Sequence, residues 1–198
     1  MAHFTQSPNP PAKKRSPITM IAIFCIGLIV IVGLAILITW LAIKPKKLQY
    51  SVDEGWIKDY NLTNSELTST FNFVLRTYNP NHKTSVYYDK MEVTVYYRGQ
   101  AVANDKVAPF YQPKQNVTRL MFQKATKNYN LPQGVVRDLK AERTGGEVDL
   151  DIKIKAKIRF KVGIWKSRHY KLKVLCSPVV VNFSNDKRFQ NKDCEVDI

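Results

Sequence analysis

The 198-residue sequence predicts a mainly β chain, an antiparallel β-sandwich with one short helix preceded by a single transmembrane helix. Three observations carry this. Ile18 to Ile43 contains no charged residue; after Lys47 apolar residues recur with a period of two, the signature of half-buried strands; and only one later stretch has helical spacing and helix punctuation. The length suits one modest domain with appendages and excludes a large multi-domain enzyme. With 44% hydrophobic and 11% aromatic residues, wholesale disorder is excluded too.

Residues 1–17 carry four prolines and no acidic side chain, which predicts a disordered basic tail. As a helix, the run 18–43 would be about 39 Å long against a hydrocarbon core of about 30 Å. It lacks the short apolar core and small-residue cleavage pattern of a removed signal peptide, so it is expected to stay attached, with Trp40 at the interface. Basic residues flank it equally: Lys13, Lys14 and Arg15 before, Lys44, Lys46 and Lys47 after.

Two features of the larger C-terminal part decide the orientation. Sequons begin at Asn61, Asn116 and Asn182, none blocked by proline. Cys25 falls in the apolar run, leaving Cys176 and Cys194 as an even pair. Bridged, they would require an oxidising compartment; the alternative is two free buried thiols. Together the hints favour a cytoplasmic N-terminus and a glycosylated C-terminal domain outside, in the order tail 1–17, span 18–43, juxtamembrane segment and first strand 44–68, sandwich 69–198.

Within that domain Phe71, Phe73 and Leu75 share a face, as do Met91, Val93, Val95 and Tyr97. Asn79-Pro80-Asn81 breaks the chain into a turn because proline fixes its own φ and asparagine tolerates left-handed backbone. A second turn is expected at Arg98-Gly99-Gln100, then strands over 101–107 and 117–122 separated by a loop at 109–113. A helix follows, with Asn130 as cap, Pro132 in the first turn, Val135, Val136 and Leu139 on one face, and Gly145-Gly146 as stop. Three more strands are expected at about 148–162, 169–182 and 194–198.

The succession Arg76-Thr77-Tyr78-Asn79-Pro80-Asn81, Val86-Tyr87-Tyr88-Asp89, Val95-Tyr96-Tyr97-Arg98-Gly99-Gln100, Ala108-Pro109-Phe110-Tyr111-Gln112 and Arg159-Phe160-Lys161-Val162-Gly163 resembles the plant harpin-induced-like and non-race-specific-disease-resistance-like proteins, whose soluble part is a group 2 late embryogenesis abundant domain. The resemblance runs from about Lys47 to the C-terminus. It implies an immunoglobulin- or fibronectin-like sandwich, anchoring in the plasma membrane with the domain extracellular, and roles in defence and stress responses; it implies no enzyme activity.

Charge points to binding. The net charge is +15, and after residue 47 stand 25 basic and 16 acidic side chains. Lys153 to Lys173 holds nine basic residues and no acid, so one expected hairpin carries the domain's whole excess. The period of two puts Ile152, Ile154, Ala156, Ile158, Phe160 and Val162 on one face, with Lys153, Lys155, Lys157, Arg159 and Lys161 on the other. The returning strand turns Tyr170, Leu172, Val174 and Cys176 inward and adds Lys171 and Lys173 outside. Such a ribbon would attract acidic cell-wall polysaccharide or acidic proteins; the plainer alternative is a solvated face that guards against edge aggregation. Nucleic acid fits the charge but not an exported, membrane-held domain. If the domain instead faced the cytosol, the ribbon would lie on anionic lipid. At the hairpin tip, Trp165, Lys166 and Arg168 can contact a sugar or a partner surface, or Trp165 can fold back on its own sheet. Histidines at 3, 82 and 169 have no metal-ligand spacing. No nucleophile elbow, phosphate loop or dinucleotide fingerprint occurs, so neither catalysis nor a cofactor is expected. Asp149 and Asp151 beside Lys153 read as charge partners in a sheet.

Overall fold

A computed structural model describes residues 17–43, 46–183 and 189–198, with only the backbone of 39–43. The expected tail and Ser184 of the third sequon lie outside these residues. The chain divides into two compact units, residues 1–44 and 45–198. The first contains helix α1, Pro17–Ile43, the one described helix long and apolar enough to cross a membrane, with mean hydropathy 3.3 over its most apolar stretch.

The second unit is a β-sandwich. Its strands are β1 (Gln49–Thr63), β2 (Glu66–Asn79), β3 (Thr84–Tyr97), β4 (Gln100–Val107), β5 (Phe110–Gln112), β6 (Asn116–Asn130), β7 (Glu147–Val162), β8 (Trp165–Lys166), β9 (Tyr170–Asn182), β10 (Lys192–Asp193) and β11 (Glu195–Asp197), with helix α2 (Gln133–Gly145) between β6 and β7. One antiparallel sheet has the order β10-β1-β2-β6; the other has β11-β9-β7-β3-β4, with β5 added to β3 and β8 to β7. The sandwich therefore takes in β1 and the start of β2, ahead of the expected boundary at residue 69.

The inner faces follow the alternation. Phe71, Phe73 and Leu75 from β2, Met91, Val93, Val95 and Tyr97 from β3, and Ile152, Ile154, Ala156 and Ile158 from β7 are all buried. On β9 the alternation changes phase. Leu172, Val174 and Cys176 are buried, and so are Val179 and Val181, because a register shift opposite Leu150 and Ile152 accommodates Ser177-Pro178. Proline has no N–H for the ladder, so an irregularity is where it fits. Tyr170, expected inward, is exposed at the start of β9, with its ring 5.6 Å from that of Phe160.

Two further expectations need correction. Residues 109–113 are not a plain loop: Phe110–Gln112 pairs with Val86–Tyr88, with prolines only flanking it. Packing explains this, since Phe110 stacks on Tyr88 at 4.2 Å between ring centroids and Tyr111 lies 4.7 Å from Tyr87. Nor is Asn130 the cap of α2. It pairs with Glu66 as the last residue of β6, and Pro132 takes the cap position. The other end is as expected: Gly146 adopts φ 85° and its N–H reaches the Arg143 carbonyl, with Val136 and Leu139 buried.

A buried polar network ties the turns together. Tyr50 donates its hydroxyl to Tyr88 at 2.7 Å, and Tyr88 donates to Gln112 Oε1 at 3.3 Å. Gln112 Nε2 donates to the carbonyls of Thr77 (2.9 Å) and Asn116 (3.1 Å). Burial pushes the ionisation of both phenols above the ordinary tyrosine range, so they hold their protons and the chain of donors keeps its direction. Asn79 Nδ2 donates to the carbonyls of Thr84 and Pro113, both at 2.9 Å, and its Oδ1 accepts from the backbone and side-chain amides of Asn81. Asn81 in turn exchanges hydrogen bonds with the main chain of Lys46, at 2.6 and 3.0 Å.

Candidate functional site

The ribbon forms, but the sheet rearranges its membership. β7 is flanked by β9 on one side and β3 on the other, so its outward lysines have neighbours on both. One row across the sheet reads Lys173, Lys155, Glu92, Lys106; the next reads Lys171, Lys157, Lys90. These six lysines line a groove of about 930 Å³ whose remaining wall includes Val107, Ala108, Pro109 and Tyr170. All six are exposed. Among the described residues none of them has a carboxylate within ion-pair distance. Glu92, inside the groove, accepts a hydrogen bond from Asn104 at 2.7 Å, and Asp197 opposes Lys173 at the β11 edge.

Three residues of the expected ribbon are used differently. Arg159 donates through Nε to Asp89 Oδ2 at 2.8 Å and through a second nitrogen to Oδ1, with its guanidinium 5.7 Å from the centroid of the Tyr87 ring. The Arg159 hydrogen bond holds the Asp89 carboxyl below its usual range, and His169 Nε2 lies 3.4 Å from the same carboxylate. Lys153 sits 4.5 Å over the Tyr96 ring. Lys161 lies opposite Lys166 at the hairpin end, away from the groove. Sequence reasoning missed Lys90 and Lys106. Their outward phase in strands was available, but not that these strands lie beside β7.

Like charges directly opposite one another in a sheet are destabilising. Lys155 with Lys173, and Lys157 with both Lys171 and Lys90, make that unfavourable arrangement repeatedly on one face. The face is equipped to attract an extended anion, with lysine heads as point charges and their aliphatic stems as walls.

At the hairpin tip Trp165 does not fold back on its sheet. It is 67% exposed and the neighbouring Ile164 is fully exposed, while Lys166 Nζ lies 4.6 Å from the Tyr87 ring centroid. Arg168 is exposed. The three sequons differ. Asn61 is exposed and its Oδ1 accepts from the Thr63 hydroxyl at 2.9 Å; Asn116 is half-buried, with the Thr118 hydroxyl at 3.4 Å; the Asn182 side-chain oxygen is buried. Cys176 and Cys194 form a disulfide. Among the described residues no cluster of three or more His, Cys, Asp or Glu is placed to hold a metal. Asp151 accepts a hydrogen bond from Ser177 rather than pairing with Lys153.

Residues 74–176 match the family model described as late embryogenesis abundant protein. Among curated proteins of Arabidopsis thaliana, an uncharacterized protein is 33% identical over 177 residues, covering 88% of this chain and 80% of its own. NDR1/HIN1-like protein 10 is 34% identical, covering 76% and 68%, and NDR1/HIN1-like protein 3 is 32% identical, covering 87% and 77%. A crystal structure from Archaeoglobus fulgidus (11% identity, 67% of this chain and 96% of that one) and a solution structure from Arabidopsis thaliana (16%, 71% and 87%) superpose with TM-scores of only 0.31 and 0.36.

Proposed function

Because this chain belongs to the late embryogenesis abundant family, and within it is related to the NDR1/HIN1-like proteins, we propose that it is a membrane-anchored, non-enzymatic binding protein of plant defence and stress responses. In this reading α1 is a signal-anchor in the plasma membrane, the N-terminus is cytoplasmic, and the sandwich stands outside the cell. Its lysine groove holds an acidic polymer, either wall polyuronate or an acidic stretch of a partner protein. The observation that carries the proposal is the set of six lysines, Lys90, Lys106, Lys155, Lys157, Lys171 and Lys173, gathered from four strands onto one face with no ion pair within reach among the described residues, and outnumbering the two carboxylates of the lining, Asp89 and Glu92. A carboxylate every few ångströms along a polymer is the chemistry that relieves such a cluster.

The test is retention of the full chain on immobilised polygalacturonate. Changing Lys155, Lys157, Lys171 and Lys173 to glutamine is expected to weaken retention about tenfold at low salt, with the wild-type advantage shrinking as salt screens it. Because these side chains are exposed, stability should move little. Undiminished retention by the variant would end the wall-binding reading.

The outward topology has its own readout. Asn61, open on the surface with its threonine hydroxyl already on the amide oxygen, is the sequon expected to carry sugar. Glycosidase treatment of the protein from plant cells should increase gel mobility, Asn61→Gln should remove most of that shift, and Asn182→Gln should leave it unchanged. A chain with no shift at all, and a C-terminal domain closed to external protease, would instead place the sandwich in the cytosol against anionic lipid.

A further inference from the structure

We propose that the β7–β8 hairpin tip, Ile164 with Trp165, is a second membrane anchor that seats one end of the sandwich in the interfacial layer of the bilayer crossed by α1. The inference rests on reading α1 as a span. It concerns residues outside the lysine groove.

Exposure comes first. Ile164 is 102% exposed and Trp165 is 67% exposed, adjacent at the apex of a tight loop. The apex is built rather than loose. Gly163 supplies φ 57° as the first central residue between paired Val162 and Trp165. Ser167 donates its backbone N–H to the Phe160 carbonyl at 2.8 Å, and its hydroxyl accepts from the Phe160 N–H at 2.9 Å. Single exposed apolar residues are ordinary on proteins, but a rigid apex offering isoleucine and tryptophan side by side is shaped for an apolar medium.

Position comes second. Thr84 pairs with Val162, so the tip lies at the end of the sandwich that carries the β2–β3 turn. In that turn Asn81 is bonded to the main chain of Lys46 in both directions. Lys46 is three residues past Ile43, the last residue of α1, and three residues reach at most about 11 Å. The tether from α1 to the segment bonded to Asn81 is thus short enough to let this end of the sandwich reach the bilayer surface.

Charge comes third. The segments forming this end, residues 46–48, 80–84, 113–116 and 161–168, contain Lys46, Lys47, Lys83, Lys114, Lys161, Lys166 and Arg168 and no Asp or Glu. Tryptophan and an aliphatic residue on a domain end rich in cations is the composition that settles at a lipid interface, the apolar part below the headgroups and the cationic groups among the phosphates. A sugar platform would use Trp165 but leave Ile164 without a role.

The test uses the full chain in nanodiscs of mixed phosphatidylcholine and phosphatidylserine, with and without bromine on the acyl chains. The sequence has three tryptophans, Trp40, Trp56 and Trp165, which can be read singly. With Trp40→Phe and Trp56→Phe, the remaining Trp165 is expected to lose about half its emission to bromolipid and to emit further to the blue. Adding Ile164→Ser should restore most of the lost signal. With Trp56→Phe and Trp165→Phe, Trp40 reports on the span itself. Quenching of Trp40 without quenching of Trp165 overturns the tip anchor and leaves the span standing; no quenching of Trp40 overturns the reading of α1 on which the anchor depends. Shielding of Trp165 from acrylamide by soluble polygalacturonate, but not by lipid, would also overturn the anchor, in favour of sugar binding.

Discussion

Replacing Asn79 with alanine should lower the melting temperature of the sandwich by about 10 °C, a large effect for one turn residue. The side chain is fully buried and makes four hydrogen bonds: donations to the Thr84 and Pro113 carbonyls, and acceptances from the backbone and side chain of Asn81. These reach three separate pieces of chain: the β2–β3 turn, the loop after β5 and, through Asn81, the main chain of Lys46. Alanine leaves the Thr84 carbonyl and the Asn81 amides without these bonds in a place that admits little water, and the Pro113 carbonyl without its bond at a more open edge. An orphaned buried polar group costs about 1–3 kcal/mol, and some relaxation is available, so a total of about 3–4 kcal/mol is expected. In a domain of this size each kcal/mol moves the midpoint by roughly 2–4 °C. Asn81→Ala, which keeps the Asn79 donations to Thr84 and Pro113 but cuts the tie to Lys46, should cost less. Thermal unfolding followed by near-ultraviolet circular dichroism distinguishes them; an Asn79→Ala midpoint no lower than that of Asn81→Ala would show that the turn is not what the network holds.

What the sequence discloses is the period of each strand, not which strands are neighbours. The alternation from Ile152 to Ile158 predicts a strand with lysines outside, and Met91 to Tyr97 predicts another, because side-chain direction along a strand is a local property. Pairing is not local. Asp89 takes Arg159 out of the ribbon from 70 residues away, and Lys90 and Lys106 enter the groove because β3 lies between β7 and β4. The Asn-Pro-Asn turn is legible as a turn, since proline and asparagine act on their own backbone. That its amides would staple Pro113 and Lys46 is a consequence of packing. The exposed Trp165 follows from the Gly163 turn, which closes so tightly that the residue pairs with Val162 at the strand end and its ring has no length of sheet to lie upon. The helix cap shows the same competition in reverse: Asn130 has cap chemistry, but pairing with Glu66 claims its backbone first.

Loss of the Cys176–Cys194 bridge should destabilise the domain by about 3 kcal/mol, since it closes a loop across a sequence separation of 18. The topology adds a second consequence. Cys194 falls between β10, which adds two residues to the edge of β1 in one sheet, and β11, which adds three to the edge of β9 in the other. The short terminal segment thus covers an edge of both sheets, and pairings of two and three residues hold weakly by themselves. Besides the disulfide, the Cys194 N–H donates to the Tyr50 carbonyl at 2.9 Å. With both cysteines changed to alanine, or with the bridge reduced, the midpoint should fall by about 10 °C. Freed from the bridge, the segment should also detach more often and expose the edges of β1 and β9, so self-association on warming should increase. Light scattering during the melt reads the second effect separately from the first. Thiol labelling in intact plant cells then carries the result back to topology: a bridge that resists labelling until reductant is added belongs to an oxidising compartment, whereas two thiols labelled without reductant would locate the sandwich in the cytosol and make the lysine groove a lipid contact instead of a wall contact.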